Sequence, residues 1–271
     1  MANALEMVSR SDTGRLRSHN EDAVHIDPLL GLAILADGMG GYNAGEVASK
    51  MATDLIGSAL ARSWAAPGQD SRAEAAAADS IAQANNAVYQ AAQSQSQYAG
   101  MGTTLVMTLF HGDAMTVAHV GDSRLYRLRA GKLALLTRDH SLLQEQLDRG
   151  LVRAEDARSA QNKNLVTRAL GIDPDVLPEI NSHEVQGGDI YLLCSDGLND
   201  MLEDADIAQI LRQRAKNLAA AATALVQKAN DSGGRDNVSV ILVRVAGGVA
   251  PSSWFARLLS WFGRRLQGPR P

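Results

Sequence analysis

Apolar residues come in three short runs near the amino end, Leu5 to Ser11, Ala23 to Ile26 and Leu32 to Ala36, with the polar stretch Ser11 to Asp22 among them. Runs of this length bounded by polar and glycine residues predict β-strands. From Ala44 the period changes. Val47, Ala48, Met51, Ala52, Leu55, Ile56, Ala59 and Leu60 recur at three and four residues, which lines one face of a helix. Asn43 stands at the N-cap position and Glu46 three residues on completes the pattern of a capping box. The helix is therefore expected to start directly after the glycine-rich loop Gly38-Met39-Gly40-Gly41.

Residues 64–71 read as a turn, and the alanine- and glutamine-rich run from Arg72 to Gln95 as a second helix. Met101 to Phe110 and Ala114 to Val120 alternate as strands of a hairpin turning at Gly112-Asp113, and Arg124 to Leu128 and Leu133 to Thr137 add two more. After a mixed stretch over 141–171, strands are expected at Glu179 to Val185 and Ile190 to Cys194. Helices at Ala205 to Arg214 and Leu218 to Ala229 then precede a last strand, Val238 to Val245. Strands and helices arrive in blocks, so the pattern predicts α+β layers with antiparallel sheets inside and helices outside, not a doubly wound parallel sheet.

The 271 residues suffice for one large domain, expected over 1–246, with a linker at 247–251. A net charge of −4 offers no broadly basic surface, so nucleic acid is not an expected partner. Cys194 is the single cysteine, which excludes a disulfide framework and a thiolate zinc site within the chain. With no secretory leader pattern in Met1 to Gly14 and no apolar run near the length that spans a bilayer, a cytoplasmic location is expected.

The informative chemistry is a repeated pattern, an apolar strand ending in an acid and a glycine: Ile34-Leu35-Ala36-Asp37-Gly38, and again Leu192-Leu193-Cys194-Ser195-Asp196-Gly197. Asp122 in Val120-Gly121-Asp122-Ser123-Arg124 and Asp236 in Arg235-Asp236-Asn237 stand in similar settings. A single Asp-Gly is most simply a turn. Four acids at strand ends would gather charge that needs compensation, and carboxylates with a nearby carbonyl suit hard cations such as Mg²⁺ or Mn²⁺. Arg17, five residues before Asp22, offers a planar fork to a phosphate.

In this order the motifs resemble those of the protein phosphatase 2C family, and in particular its bacterial branch. The matching stretches are Ser11-Asp12-Thr13-Gly14 through Arg17 to Asp22; Ala36-Asp37-Gly38-Met39-Gly40-Gly41; Gly102-Thr103-Thr104; Val120 to Arg124; Thr167-Arg168-Ala169-Leu170-Gly171; Cys194 to Gly197; and Asp236-Asn237. The resemblance runs over residues 8–245. The resemblance implies a four-layer αββα sandwich, two antiparallel sheets flanked by helices, with a binuclear metal centre at one end.

It also implies roles. Asp37 would bridge two Mn²⁺ or Mg²⁺ ions, Asp196 and Asp236 would hold the first, and the Gly38 carbonyl with Glu21 and Asp22 the second. Asp122, with Asp196, would support a weaker third ion, and Arg17 would contact the substrate phosphate. Asn237 would steady the loop of Asp236. Cations at such a centre lower the pKa of water from about 15.7 toward neutrality, so hydrolysis of a phosphoserine or phosphothreonine ester needs no nucleophilic side chain. Many relatives carry a histidine after the Asp-Gly where this chain has Met39 and Tyr42, which leaves the general acid open among Tyr42, His19, His140 and a metal-held water. Substrates would be phosphoproteins, opposed by a serine/threonine kinase, and a monomer is expected. The segment from Asp139 to Leu165, with Gln161, Asn162 and Lys163, corresponds to a variable flap beside the site.

Residues 252–271 contain four arginines and no acid, a charge of +4 against −8 for the rest of the chain. Trp254, Phe255, Leu258, Leu259, Phe262 and Leu266 share one face if this tail is helical. Such a basic amphipathic segment is suited to a membrane surface at the inner face, to a partner protein, or to packing back on the domain.

Overall fold

The continuous apolar runs of the sequence are strands covered on both faces. Residues 4–41, 43–64, 72–153, 156 and 165–246 are described by a computed structural model. In chain order the first half runs β1 (Leu5–Asp12), β2 (Asp22–Asp27), β3 (Leu32–Met39), α1 (Ala44–Ser63), α2 (Ala73–Ser94), β4 (Gly102–Thr103), β5 (Leu105–His111) and β6 (Ala114–Val120). The second half runs β7 (Arg124–Arg129), β8 (Lys132–Leu135), α3 (Leu142–Asp148), β9 (Glu179–Glu184), β10 (Ile190–Cys194), α4 (Asp196–Asn199), α5 (Asp204–Gln213), α6 (Leu218–Asp231) and β11 (Val238–Val245).

These strands form two antiparallel sheets, one ordered β1-β11-β10-β7-β8 and the other β2-β3-β5-β6-β9, with β4 against β3. Alternation along each strand sorts its side chains into layers. Ala33 and Leu35 of β3 pack with Tyr191, Leu193, Ile241 and Val243 between the sheets. Leu32 and Ile34 face the opposite way, onto Ile56 and Leu60 of α1 and Ile81 of α2. On the far side, Leu192, Val240 and Leu242 meet Ile207 and Leu211 of α5 and Leu225 of α6. Helices, sheet, sheet and helices therefore make four layers around three apolar seams, as expected. This double coverage is why β3, β10 and β11 read as unbroken apolar runs.

Two local expectations change. Asn43 holds the N-cap position of α1 but its side chain makes no capping bond, because φ −101° and ψ 16° are not the extended backbone of a capping residue. Side-chain caps occur instead at Ser141 and Asn217, which accept the amides of Gln144 and Ala220. The strand predicted over Met101 to Phe110 divides at Thr104, whose amide turns out of the ladder to donate to the Asp37 carbonyl at 2.8 Å.

Two chain crossings at one end of the sandwich admit no side chain. A Cβ on Gly38 would lie 2.0 Å from the carbonyl oxygen of Gly45 in α1, and one on Gly197 only 1.9 Å from that of Asn237. Backbones this close explain the glycine after each strand-end aspartate. Gly197→Ala is accordingly expected to cost at least about 1–3 kcal/mol of stability, since the obstacle is main chain and cannot rotate away. A wild-type midpoint in urea denaturation would refute this.

Candidate active site

β1, β3, β6 and β10 end, and β2, β5, β7 and β11 begin, at the same end of the sandwich. The loops there carry the acidic residues. Asp37 closes the apolar part of β3 and lies across from Asp22 of β2 in the strand register. Asp196 is the first residue of α4 after β10, Asp236 precedes β11, and Asp122 sits in the β6–β7 turn beside Gly121, whose φ is +100°. Arg17, Glu21, Asp37, Gly38, Asp122, Asp196 and Asp236 line one cleft of about 560 Å³, joined by Met39, Thr104, Leu165, Val166 and Asn237. Residues predicted from distant parts of the sequence are thus brought together.

Each acid is held by named partners. Asp22 accepts from the Ser195 hydroxyl at 2.8 Å. The Arg17 guanidinium donates to Asp236 Oδ2 at 2.7 Å, while Asp236 Oδ1 accepts the Asn237 amide. Asn237 ties the whole corner together: its Oδ1 accepts from the Glu21 amide, and its Nδ2 donates to the carbonyls of Thr13 and His19. Gly14 packs its own backbone on the Asp236 carbonyl, at φ +84°. The Arg17 and Glu21 loop and the Asp236 loop are therefore fixed to each other.

The electrostatics are those of a crowded, buried anion cluster with Arg17 at its edge. Burial, then Asp22, Asp196, Asp122 and Asp236, raises the Asp37 carboxyl well above its ordinary range. Asp196 is raised by burial and then by Asp122, Asp200 and Asp236. Burial followed by Asp139 pushes Asp122 up to about 7, and burial brings Asp22 to about 6 against the lowering bonds from serine. Glu21 is raised by burial, with the nearby Arg17 opposing. Two acceptors, Glu21 Oε1 and Asp22 Oδ1, are buried with no hydrogen-bond donor. Orphaned carboxylate oxygens and several raised pKa values fit a site built for oxygen-loving cations. The donor set is all oxygen, so it fits Mn²⁺ or Mg²⁺ and not a thiolate or histidine metal.

The proton-donor candidates fare differently. Tyr42 lies outside the described residues, as do Gln161, Asn162 and Lys163 of the flap and the whole tail. His19 is exposed and does not line the cleft, where only its carbonyl is used, by Asn237. His140 is buried behind the Asp122 turn. Its Nδ1 accepts from the Gly121 amide at 3.2 Å, and its Nε2 faces Glu179 at 3.8 Å. Burial, then His119 and Arg168, pushes it down to about 4, so it is neutral at pH 7. It is thus a buttress of the turn and not a donor to the cleft.

His119, His140 and Glu179 could between them hold a metal by proximity alone. Because the Gly121 N–H occupies the Nδ1 lone pair of His140, its Nε2 keeps the proton, and that ring offers no free ligand atom. The sequence placed a flap ending at Leu165 beside the site, but not the apolar wall that its end makes with Val166. Leu165 and Val166 form an apolar side, held by the Leu142 amide donating to the Leu165 carbonyl and by the bridge of Val166 to Ser141. No local signal marked that wall.

Comparison with known proteins agrees with this geometry. The family model for protein phosphatase 2C matches residues 15–229. A serine/threonine phosphatase, stp, of Listeria innocua is 38% identical over 240 residues, covering 86% of this chain and 93% of that one. The catalytic domain of the serine/threonine protein phosphatase PstP, solved in complex with two manganese ions, superposes with a TM-score of 0.80 at 36% identity, over 89% of this chain and 98% of that one. Stp1 from Staphylococcus aureus gives a TM-score of 0.83 at 34% identity, over 91% and 97%. With its strand-end acids in one cleft and this likeness along most of its length, the chain belongs to the protein phosphatase 2C family of metal-dependent serine/threonine phosphatases.

Proposed function

We infer that this chain hydrolyses phosphoserine and phosphothreonine esters in proteins at a binuclear Mn²⁺ or Mg²⁺ centre. The observation that carries the reading is the convergence of Asp37, Asp196 and Asp236 on one cleft with Arg17. Asp37, Asp196 and Asp236, with Glu21, Asp22 and the Gly38 carbonyl, are the residues that would hold the two cations, and Asp122 with Asp196 a weaker third. The cations supply Lewis acidity, activating water and drawing charge from the phosphoryl oxygens.

The chain's own residues do the rest. Arg17, half exposed at the cleft and raised in pKa chiefly by Asp236, keeps a permanent positive charge and a donor fork facing the place where phosphate enters. Asn237 fixes the distance between Arg17 and Asp236 by bonding both loops. Leu165, exposed at the cleft, and Val166 offer apolar surface to the substrate chain. The buried thiol of Cys194, pushed up to about 12 by burial, has no part as a nucleophile.

Signal transduction in the cytoplasm, against a serine/threonine kinase, is part of the same reading, as is a monomeric domain over 1–246 with a linker at 247–251. The basic amphipathic tail, 252–271, is assigned to peripheral attachment at an anionic membrane surface or a partner protein, on the strength of its charge and aromatic pattern. No helix among the described residues is long and apolar enough to cross a membrane.

Phosphate release from p-nitrophenyl phosphate and from a phosphothreonine peptide is expected to require Mn²⁺ or Mg²⁺ and to stop with chelator. Asp196→Asn should lower it by at least about 100-fold, more than the loss typical of an outer-shell partner. Wild-type protein inactive with every divalent ion would defeat the assignment.

Acid should weaken the centre. Asp22 and Asp122 titrate near 6 and 7 in the fold against 3.8 ordinarily. The metal-free fold therefore holds protons that the unfolded chain has lost, and its stability falls as pH rises through this window. Cations must displace those protons, so the increase in Tm on adding Mn²⁺ is expected to be larger at about pH 7.5 than at about pH 5.5. An increase independent of pH would contradict the coupling. Deleting 252–271 should leave turnover of the small substrate intact and abolish binding to anionic vesicles; vesicle binding retained by the deleted protein would remove the tail from that role.

A further inference from the structure

The Gly102-Thr103-Thr104 stretch carries no charge and has no role in the cleft chemistry described above, yet Thr104 lies at its floor, 2% exposed. Its contacts run in two directions. Toward β3 it brackets Asp37: the Asp37 amide donates to Thr104 Oγ1 at 3.0 Å, and the Thr104 amide donates back to the Asp37 carbonyl at 2.8 Å. The neighbouring Thr103 hydroxyl donates to the same carbonyl at 2.9 Å. Toward the β6–β7 turn, the Thr104 and Ser123 hydroxyls are hydrogen-bonded to each other at 2.8 Å, one residue beyond Asp122. Gly121, before Asp122, is pressed against the same side chain, since a Cβ there would lie 2.8 Å from Thr104 Cβ. The strand interruption at Thr104 is what makes both sets of bonds available.

We propose that Thr104 is a positioning residue that locks Asp37 and Asp122 at a fixed separation, so that metal affinity at this centre depends on its hydroxyl. The proposal rests on the binuclear reading given above. Two like charges that repel are held by neutral hydrogen bonds to main chain and to serine, a means of orientation that does not add charge of its own. Outer-shell partners of this kind typically govern affinity by about 10–100-fold. A residue that merely filled space would be replaced by valine, which has the same shape, without effect on metal binding.

The test measures Mn²⁺ binding by calorimetry to chelator-treated full-length protein, with melting of the metal-free protein measured alongside. Thr104→Val is expected to weaken Mn²⁺ binding by about tenfold or more, and Thr104→Ser, which keeps the hydroxyl, to restore it to within about threefold of wild type. Ser123→Ala, which removes the other end of the bond, should weaken binding in the same direction and provides the test if Thr104→Val does not fold. Wild-type affinity in both Thr104→Val and Ser123→Ala, or a Thr104→Ser protein as weak as Thr104→Val, would overturn the proposal while leaving the metal centre intact. A wild-type chain that binds no Mn²⁺ would overturn the centre itself, and this proposal with it.

Discussion

Mutual repulsion among buried carboxylates is the constraint around which this molecule is organised. Glu21, Asp37, Asp122, Asp196 and Asp236 line one cleft with one arginine, and Asp22 lies just behind them. Burial and neighbouring charge raise the proton affinities of Asp37, Asp122 and Asp196, and Glu21 Oε1 and Asp22 Oδ1 have no hydrogen-bond donor. Such an arrangement costs folding energy, because a buried carboxylate is stable only when protonated, paired or bound to a cation. Divalent cations bound among these carboxylates would compensate that cost, so the same crowding that opposes folding favours cation binding.

Holding the acids in place falls to uncharged groups and to backbone. Ser195 reaches Asp22 from the opposite sheet, Thr104 brackets Asp37, and Asn237 uses its amide oxygen and nitrogen on three different main-chain groups. Gly38 and Gly197 allow crossings too close for any side chain. Behind them stand the three apolar seams of the sandwich, which supply the burial that offsets the electrostatic cost. Precision at the cleft is thus bought by hydrogen bonds of main chain to small polar side chains, on a frame made rigid by apolar packing.

Arg17 is the counterpart of this design. Among the described residues it is the cation lining the cleft, paired with Asp236 and half exposed, so it is steadied without being buried. A fully exposed arginine would be loosely placed, and a buried one would neutralise the acids that the metals need. Leu165 and Val166 line the same cleft and add apolar surface to it.

Local periodicity determined nearly every strand and helix, because burial of β3, β10 and β11 on both faces and of α1, α2 and α6 on one face writes itself into the order of apolar residues. The acid-glycine endings of two strands, with Asp122, Asp236 and Arg17, carried the metal chemistry and the likeness to the phosphatase family. What the sequence left open were relations between segments: that Thr104 breaks its strand to hold Asp37, that His140 turns its Nδ1 to a backbone amide and so lies outside the chemistry, that Asn43 caps nothing, and that Leu165 and Val166 wall the cleft. Each depends on the packing of one sheet against another and on the register of strands far apart in the chain. Those are set by the whole core at once, and no window along the sequence contains them.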